Sequence, residues 1–229
     1  MSQKTLTELK ALWITGYVPT QADFADLFDS VPLFKGIIAY TDTGFYYISS
    51  DFTVTFLILS SKRITKLPNL YQFTAVTLAS FNTNFLTELV IPAEMTELSN
   101  LSANHNLLNN VVIADECVSL GNIDLHNNLL ITLSLPSTLT ALTALTLYDN
   151  LLSSFTIPAA ITSLTNIYLQ NNNLDLTSVD AILAKLDADG LSNGTLYLTG
   201  GSNAIPTGGA TNANYLSLIA KGWGAHINT

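Results

Sequence analysis

At 229 residues the chain is long enough to bury one sizeable core, either as a single domain or as a domain with a small appendage. Only 11% of it is charged, 48% is hydrophobic and the formal net charge is −9, an acidic balance that excludes nucleic-acid binding through clustered Lys and Arg. Low charge with abundant Thr, Ser and Asn points to an extracellular or particle-bound, β-rich surface, and no apolar run approaches the roughly 18–20 residues of a membrane span.

The first element in chain order is a helical headpiece over residues 1–34, expected to serve attachment or oligomerisation. Lys4, Glu8 and Lys10 precede a short apolar patch, Ala11 to Ile14, which lacks the continuous core and cleavage site of a secretory signal. An extracellular location then implies another route, such as release inside an assembled particle. Leu6, Leu9 and Trp13 fall on one helical stripe that Gly16 ends. Thr20 with Asp23 three residues on reads as a capping box for a second helix, whose stripe is Phe24, Leu27, Phe28 and Val31. Two short helices cannot hide that much aromatic surface. Trp13, Phe24 and Phe28 are therefore the candidate assembly residues, against either the first repeat or another subunit. Residues 35–53 form a connector and N-terminal cap.

Residues 54–229 form a repeat domain that ends in a C-terminal cap. Leu142-Thr-Ala-Leu145-Thr-Leu147-Tyr-Asp-Asn150-Leu-Leu152 fits L-x-x-L-x-L-x-x-N-x-L at every specified position. Shifted by 22 residues, the pattern recurs at Leu164 to Leu174, Leu120 to Leu130, Leu98 to Leu108 and Val76 to Leu86. The first copy, Val54 to Ile64, has Lys62 in place of Asn, and with Arg63 and Lys66 this basic group reads as a solvated turn. The other half of each unit keeps the same register. Ile91, Ile113, Leu135 and Ile157 form one column, and Met95, Cys117, Leu139 and Ile161 another, which makes the lone cysteine a core side chain rather than a reactive thiol.

Beyond Asn172 the spacing lengthens. A helix is expected over Ser178 to Asp189, with Gly190 ending it. A strand follows at Thr195 to Thr199, a side loop at Gly200 to Thr211, a helix at about Asn212 to Lys221 and a last strand at Trp223 to Ile227.

Over residues 54–200 this pattern resembles the leucine-rich-repeat family. The fold class read here is an α/β solenoid: a leucine-rich-repeat horseshoe with a parallel concave sheet. Its 22-residue repeats change to longer strand–helix units at the C-terminus, and a small helical headpiece precedes them. One repeat cannot bury its own apolar face, so neighbours stack. Asn84, Asn106, Asn128, Asn150 and Asn172 are expected to form a hydrogen-bonded ladder along the stack.

The two ends carry a second likeness. Leu-Lys-Ala-Leu-Trp-Ile-Thr-Gly-Tyr-Val-Pro-Thr-Gln-Ala-Asp-Phe-Ala-Asp-Leu-Phe-Asp-Ser, residues 9–30, and Asn-Ala-Asn-Tyr-Leu-Ser-Leu-Ile-Ala-Lys-Gly-Trp, residues 212–223, are similar to segments of structural proteins from bacteriophages of Bacteroidota hosts. The resemblance implies a virion tail or appendage protein, held to other virion proteins by the headpiece and able to form a homo-oligomer. The alternative is a secreted or cell-surface bacterial module that binds a protein partner.

The strand positions that point out of the sheet run in three columns: Phe56 to Thr195, Ile58 to Tyr197 and Ser60 to Thr199. Phe56, Ile58 and Leu78 would make an apolar patch that the segment Phe34 to Tyr47 or a partner chain is expected to cover. Toward the other end stand the candidate ligand-binding residues Asp124, His126, Tyr148, Tyr168, Gln170 and Tyr197. Aromatic rings beside amide and carboxylate groups suit a host-surface glycan, and equally a flat polar protein epitope. Asp124 and His126 share a face and are the minimum for an acid–base pair, but no nucleophile elbow, metal-spaced set or phosphate loop accompanies them. His105 falls in a repeat turn and His226 near the terminus. The expectation is a binding protein without catalytic residues, metal or cofactor.

Overall fold

The computed structural model describes residues 37–41, 44–49 and 53–229. The chain divides into two units, residues 1–37 with 47–51 and residues 38–46 with 52–229. The expected headpiece, with Trp13, Phe24 and Phe28, lies outside the described residues.

The larger unit is built on an eight-stranded, all-parallel sheet. Its strands are β3 (Phe56–Ile58), β5 (Leu78–Ser80), β7 (Asn100–Ser102), β9 (Asn122–Asp124), β10 (Ala144–Thr146), β11 (Asn166–Tyr168), β12 (Thr195–Tyr197) and β13 (Gly224–His226). Consecutive strands are in register, so Leu57, Ala79, Leu101, Ile123, Leu145, Ile167, Leu196 and Ala225 form one buried row. Alternation along each strand sends the flanking residues outward. The other half of the repeat supplies a second parallel pair, β6 (Glu88–Ile91) with β8 (Asn110–Ile113). Near the N-terminal end of the unit, β1 (Ile37–Thr41) pairs antiparallel with β4 (Ile64–Lys66), and β2 (Gly44–Ser49) lies on its other edge.

Between the two halves the aliphatic columns meet. Ile91, Ile113, Leu135 and Ile157 are buried, and Met95, Cys117, Leu139 and Ile161 are fully so. The fold is a leucine-rich-repeat solenoid.

Each turn is closed by the same polar device. Asn128 Nδ2 donates to the carbonyls of Ala103 and Leu125, at 3.1 and 2.9 Å, and its Oδ1 accepts the Leu108 amide at 3.0 Å. Asn84, Asn106, Asn150 and Asn172 repeat this pattern. Where the first repeat has Lys62, the Asn84 carboxamide accepts the amides of both Lys62 and Ile64. The residue before each ladder asparagine is in the left-handed region: Thr83, His105, Asn127, Asp149 and Asn171 have φ between 53 and 56°.

The ladder also runs further than the 22-residue spacing implies. Asn203, in the segment expected to be a side loop, is buried; its Oδ1 accepts the Leu174 amide and its Nδ2 donates to Leu169 and Leu198. Gly201 bridges to Asn172 at φ 59°, where an added Cβ would lie 2.5 Å from the Asn172 carbonyl oxygen. The segment is thus part of the solenoid. The unit holding the helix is longer, and the turn after β12 adds two further residues, so that Gly201 pairs with Asn172 and the asparagine follows at 203.

That helix, α1 (Leu176–Asp189), starts two residues before the expected Ser178, because Asp175 caps it by accepting the Ser178 amide at 2.8 Å. Ser178, through its hydroxyl first and then its amide, holds the Asp175 carboxyl below its ordinary pKa. Val179, Ile182, Leu183 and Leu186 face the core, and Gly190 ends the helix at φ 72°. The second helix, α2 (Ala213–Ala220), is capped by Asn212. Trp223 then closes the core, its indole N–H on the Leu191 carbonyl at 2.9 Å.

Candidate functional site

On the outward face of the sheet, strand register fixes which residues are neighbours. One row reads Ile58, Ser80, Ser102, Asp124, Thr146, Tyr168, Tyr197, His226. His226 completes this row at β13, whereas its position near the terminus had suggested that it stood apart. The signal that places it is Trp223-Gly-Ala-His-Ile-Asn, whose buried positions match those of Gly194-Thr-Leu-Tyr-Leu-Thr.

The apolar end of the face is open. Phe56 and Ile58 are each 62% exposed, and of the segment before them β1 pairs with β4 while β2 lies on the other edge of β1. Of the cover expected for these residues, from the segment Phe34 to Tyr47 or from a partner chain, part of the segment lies outside the described residues.

From Ser60 to His126 the polar side chains bond to one another. Ser60 meets Ser80 at 2.8 Å, Ser102 donates to Asn82 at 2.8 Å, and Asn104 links Ser102 to Asp124. Asp124 accepts from Asn104 through Oδ2 at 2.8 Å and meets His126 Nδ1 through Oδ1 at 2.6 Å. An ionised carboxylate can only accept, so Nδ1 carries the proton in that contact and Nε2 is left for other work. Asp124, which shares a face with His126 as expected, thus orients the imidazole through Nδ1. Its carboxylate is engaged on both oxygens.

His126 stacks on Tyr148 at a centroid distance of 4.3 Å, and His105 meets it edge-on at 4.9 Å. Further along, Tyr168, Tyr197 and His226 stack in sequence at 5.6 and 4.4 Å, with planes 13° apart. Tyr197 therefore has a neighbour on each face. Rings stacked along the row cover one another's faces, so the row turns ring edges outward.

Gln170 joins the two clusters, in line with Tyr148 across the sheet and two residues from Tyr168 on its own chain. Among the described residues, no protein partner bonds to the side chains of Tyr148, Tyr168, Gln170 or Tyr197. The Gln170 Oε1 atom is buried and unpartnered. Burial, with Asp124 and Asp149 nearby, raises the Tyr148 phenol above its ordinary pKa, so it remains an O–H donor at neutral pH. No group of three or more His, Cys, Asp or Glu side chains able to hold a metal occurs among the described residues, and none of their helices is long and apolar enough to cross a membrane.

No protein-family model matches the sequence, and neither does any curated protein. Among solved structures, the chain is similar to an internalin (inlF) from Listeria monocytogenes, with 18% identity and a TM-score of 0.47 over 73% of this chain and 52% of that one. It is also similar to the functional domain of InlJ from Listeria monocytogenes, described as including a cysteine ladder, with 16% identity and a TM-score of 0.25 over 60% of this chain and 45% of that one. The chain thus spans about half the length of these two proteins. The assignment of the fold rests on the strand register and asparagine ladder described above.

Proposed function

We propose that this protein is a non-enzymatic binding module that recognises a polar surface through the outward sheet face from His126 to Tyr197. The observation that carries this reading is a contrast along one face. Between Ser60 and His126 the side chains bond to one another, whereas Tyr148, Tyr168, Gln170 and Tyr197 keep hydroxyl and amide groups for a partner. Tyrosines in such rows often supply much of an interface's affinity.

The likeness of residues 9–30 and 212–223 to phage structural proteins supports placing the module on a virion, as a tail or appendage component that attaches to a host surface. In that reading residues 1–34, with Trp13, Phe24 and Phe28, hold it to other virion proteins or to further copies of itself. A secreted or cell-surface bacterial module is the second reading, and the same sheet face serves it.

Two experiments test this. Changing Tyr148, Tyr168 and Tyr197 together to Ser should abolish attachment to the host surface while leaving the folded fraction unchanged by circular dichroism; full attachment by the variant would refute the site. Mass spectrometry of purified particles against the surrounding lysate should find the chain enriched in particles. Its absence there would favour the cell-surface reading.

A further inference from the structure

We propose that the outward face of β10–β13 is a subsite for a neutral, hydroxyl-rich oligosaccharide, centred on Gln170. The proposal rests on the preceding reading that this face is a recognition surface, and it names the chemistry of what is recognised.

The first observation is charge. The outward residues of these four strands are Ala144, Thr146, Asn166, Tyr168, Thr195, Tyr197, Gly224 and His226, continued by Tyr148, Gln170, Thr199 and Asn228. None is Asp, Glu, Lys or Arg. An anionic ligand would find no basic side chain here to pair with, and Asp124 and Asp149 border the Tyr148 end closely enough to act on its phenol. A cationic peptide would find no carboxylate within the face itself. A surface of hydroxyls and amides that lacks formal charge matches a ligand with the same groups, because a sugar hydroxyl both donates and accepts.

The second observation is Gln170. Its buried Oε1 has no donor in the protein, and a buried acceptor left unpaired is unfavourable. The terminal torsion of a glutamine is broad, so a modest rotation brings that oxygen to a ligand hydroxyl. The tyrosine hydroxyls on either side are free to bond the same ligand.

Third is geometry. The stacking of Tyr168, Tyr197 and His226 turns ring edges outward, so the face offers a row of hydrogen-bonding groups rather than a set of apolar plates. From β10 to β13 there are three inter-strand steps, roughly 14 Å at the usual parallel spacing, which accommodates a short run of linked sugars crossing the strands.

The test uses the full chain on a printed array of neutral oligosaccharides built from glucose, galactose, mannose and N-acetylglucosamine, with sialylated and sulfated counterparts, followed by calorimetric titration of the best neutral hit. The neutral compounds should bind and their anionic counterparts should bind more weakly. Gln170→Leu should weaken the neutral hit about tenfold, the effect of one lost hydrogen bond at a desolvated site, and Tyr197→Phe should also weaken it. Ser80→Ala, outside the subsite, should leave the titration unchanged. Thermal melting confirms that each variant is folded; if Gln170→Leu is not, Thr146→Val replaces it with the same expectation. Equal or tighter binding of sulfated or sialylated compounds, no binding of any neutral one, or an unchanged titration with Gln170→Leu and Tyr197→Phe overturns the proposal. A blank neutral array together with lost host attachment by the tyrosine triple variant keeps the recognition face and removes the sugar; a triple variant that still attaches removes both.

Discussion

Asn128 reaches back one turn of the solenoid to accept the amide of Leu108 at 3.0 Å, while its amide nitrogen holds the carbonyls of Ala103 and Leu125. All of these groups are buried, and nothing else in the core can replace the carboxamide. Asn128→Ala should therefore cost about 1–3 kcal/mol, read as a lowered midpoint in urea.

Asn127, next to it, tests the backbone rather than the ladder. Its φ of 53° is a conformation that asparagine tolerates and most L-residues do not. Asn127→Ala should cost ~1 kcal/mol, and Asn127→Gly should be neutral or stabilising. By the same logic Thr83, β-branched at φ 56°, is strained, and Thr83→Asn should raise stability by about 0.5–1 kcal/mol. Equal losses for Asn127→Gly and Asn128→Ala in parallel urea titrations would contradict both assignments.

These two positions show what could be read from sequence. The 22-residue spacing exposes every column whose side chain is constant, so the sheet register, the aliphatic core and five ladder asparagines are visible in the sequence. The left-handed column is hidden because its residues vary among Thr, His, Asn and Asp, and it is the backbone that repeats. Asn203 is hidden because α1 lengthens its unit and the turn after β12 carries two further residues, which puts Gly201 where the spacing expects the asparagine. The columns place Asp124, His126, Tyr148, Tyr168, Gln170 and Tyr197 on one face, as the strand register does, but the stacking that turns ring edges outward depends on side-chain rotamers that spacing does not encode. His226 lies in the last strand expected from sequence, Trp223 to Ile227, but its row is visible only once β13 is paired in register with β12.

Cys117 should be nearly inert in the folded protein. It is fully buried, with Sγ 3.5 Å from the Pro92 carbonyl, and burial raises its thiol pKa. Less thiolate and no access both slow alkylation. Reaction with a maleimide, followed by intact mass, should be slow in buffer and fast in denaturant; rapid native labelling would place the residue outside the core.

Gly194 marks how tightly the C-terminal cap closes. A Cβ there would fall 2.6 Å from two atoms of the Trp223 ring, which is itself buried and tied to the Leu191 carbonyl. Gly194→Ala must displace the indole, and overpacking of this kind costs about 1–3 kcal/mol. Tryptophan fluorescence should shift to the red. A melting curve and emission spectrum identical to those of the parent would show that the cap is loose.

The cap should also respond to acid, through Asp187. Lys221 on the segment after α2 donates to the Asp187 carboxylate and to its backbone carbonyl, and the ion pair holds that carboxyl below its ordinary pKa, with help from Ser217. A carboxyl depressed in the folded state contributes stability that is fully present above its unfolded pKa, about 3.9 for Asp, and is lost as pH falls through the lower folded value. Lys221→Met removes the cause of the depression, so the variant should be less stable than the parent at pH 7. The gap between the two should narrow as the pH is lowered below about 4, because protonation removes from the parent what the substitution has already removed from the variant. Urea midpoints of both proteins across that range provide the measurement. A gap that is constant with pH would mean that Lys221 acts through its hydrogen bond to the carbonyl and through its aliphatic chain, and that the carboxylate contributes nothing to closing the end of the solenoid.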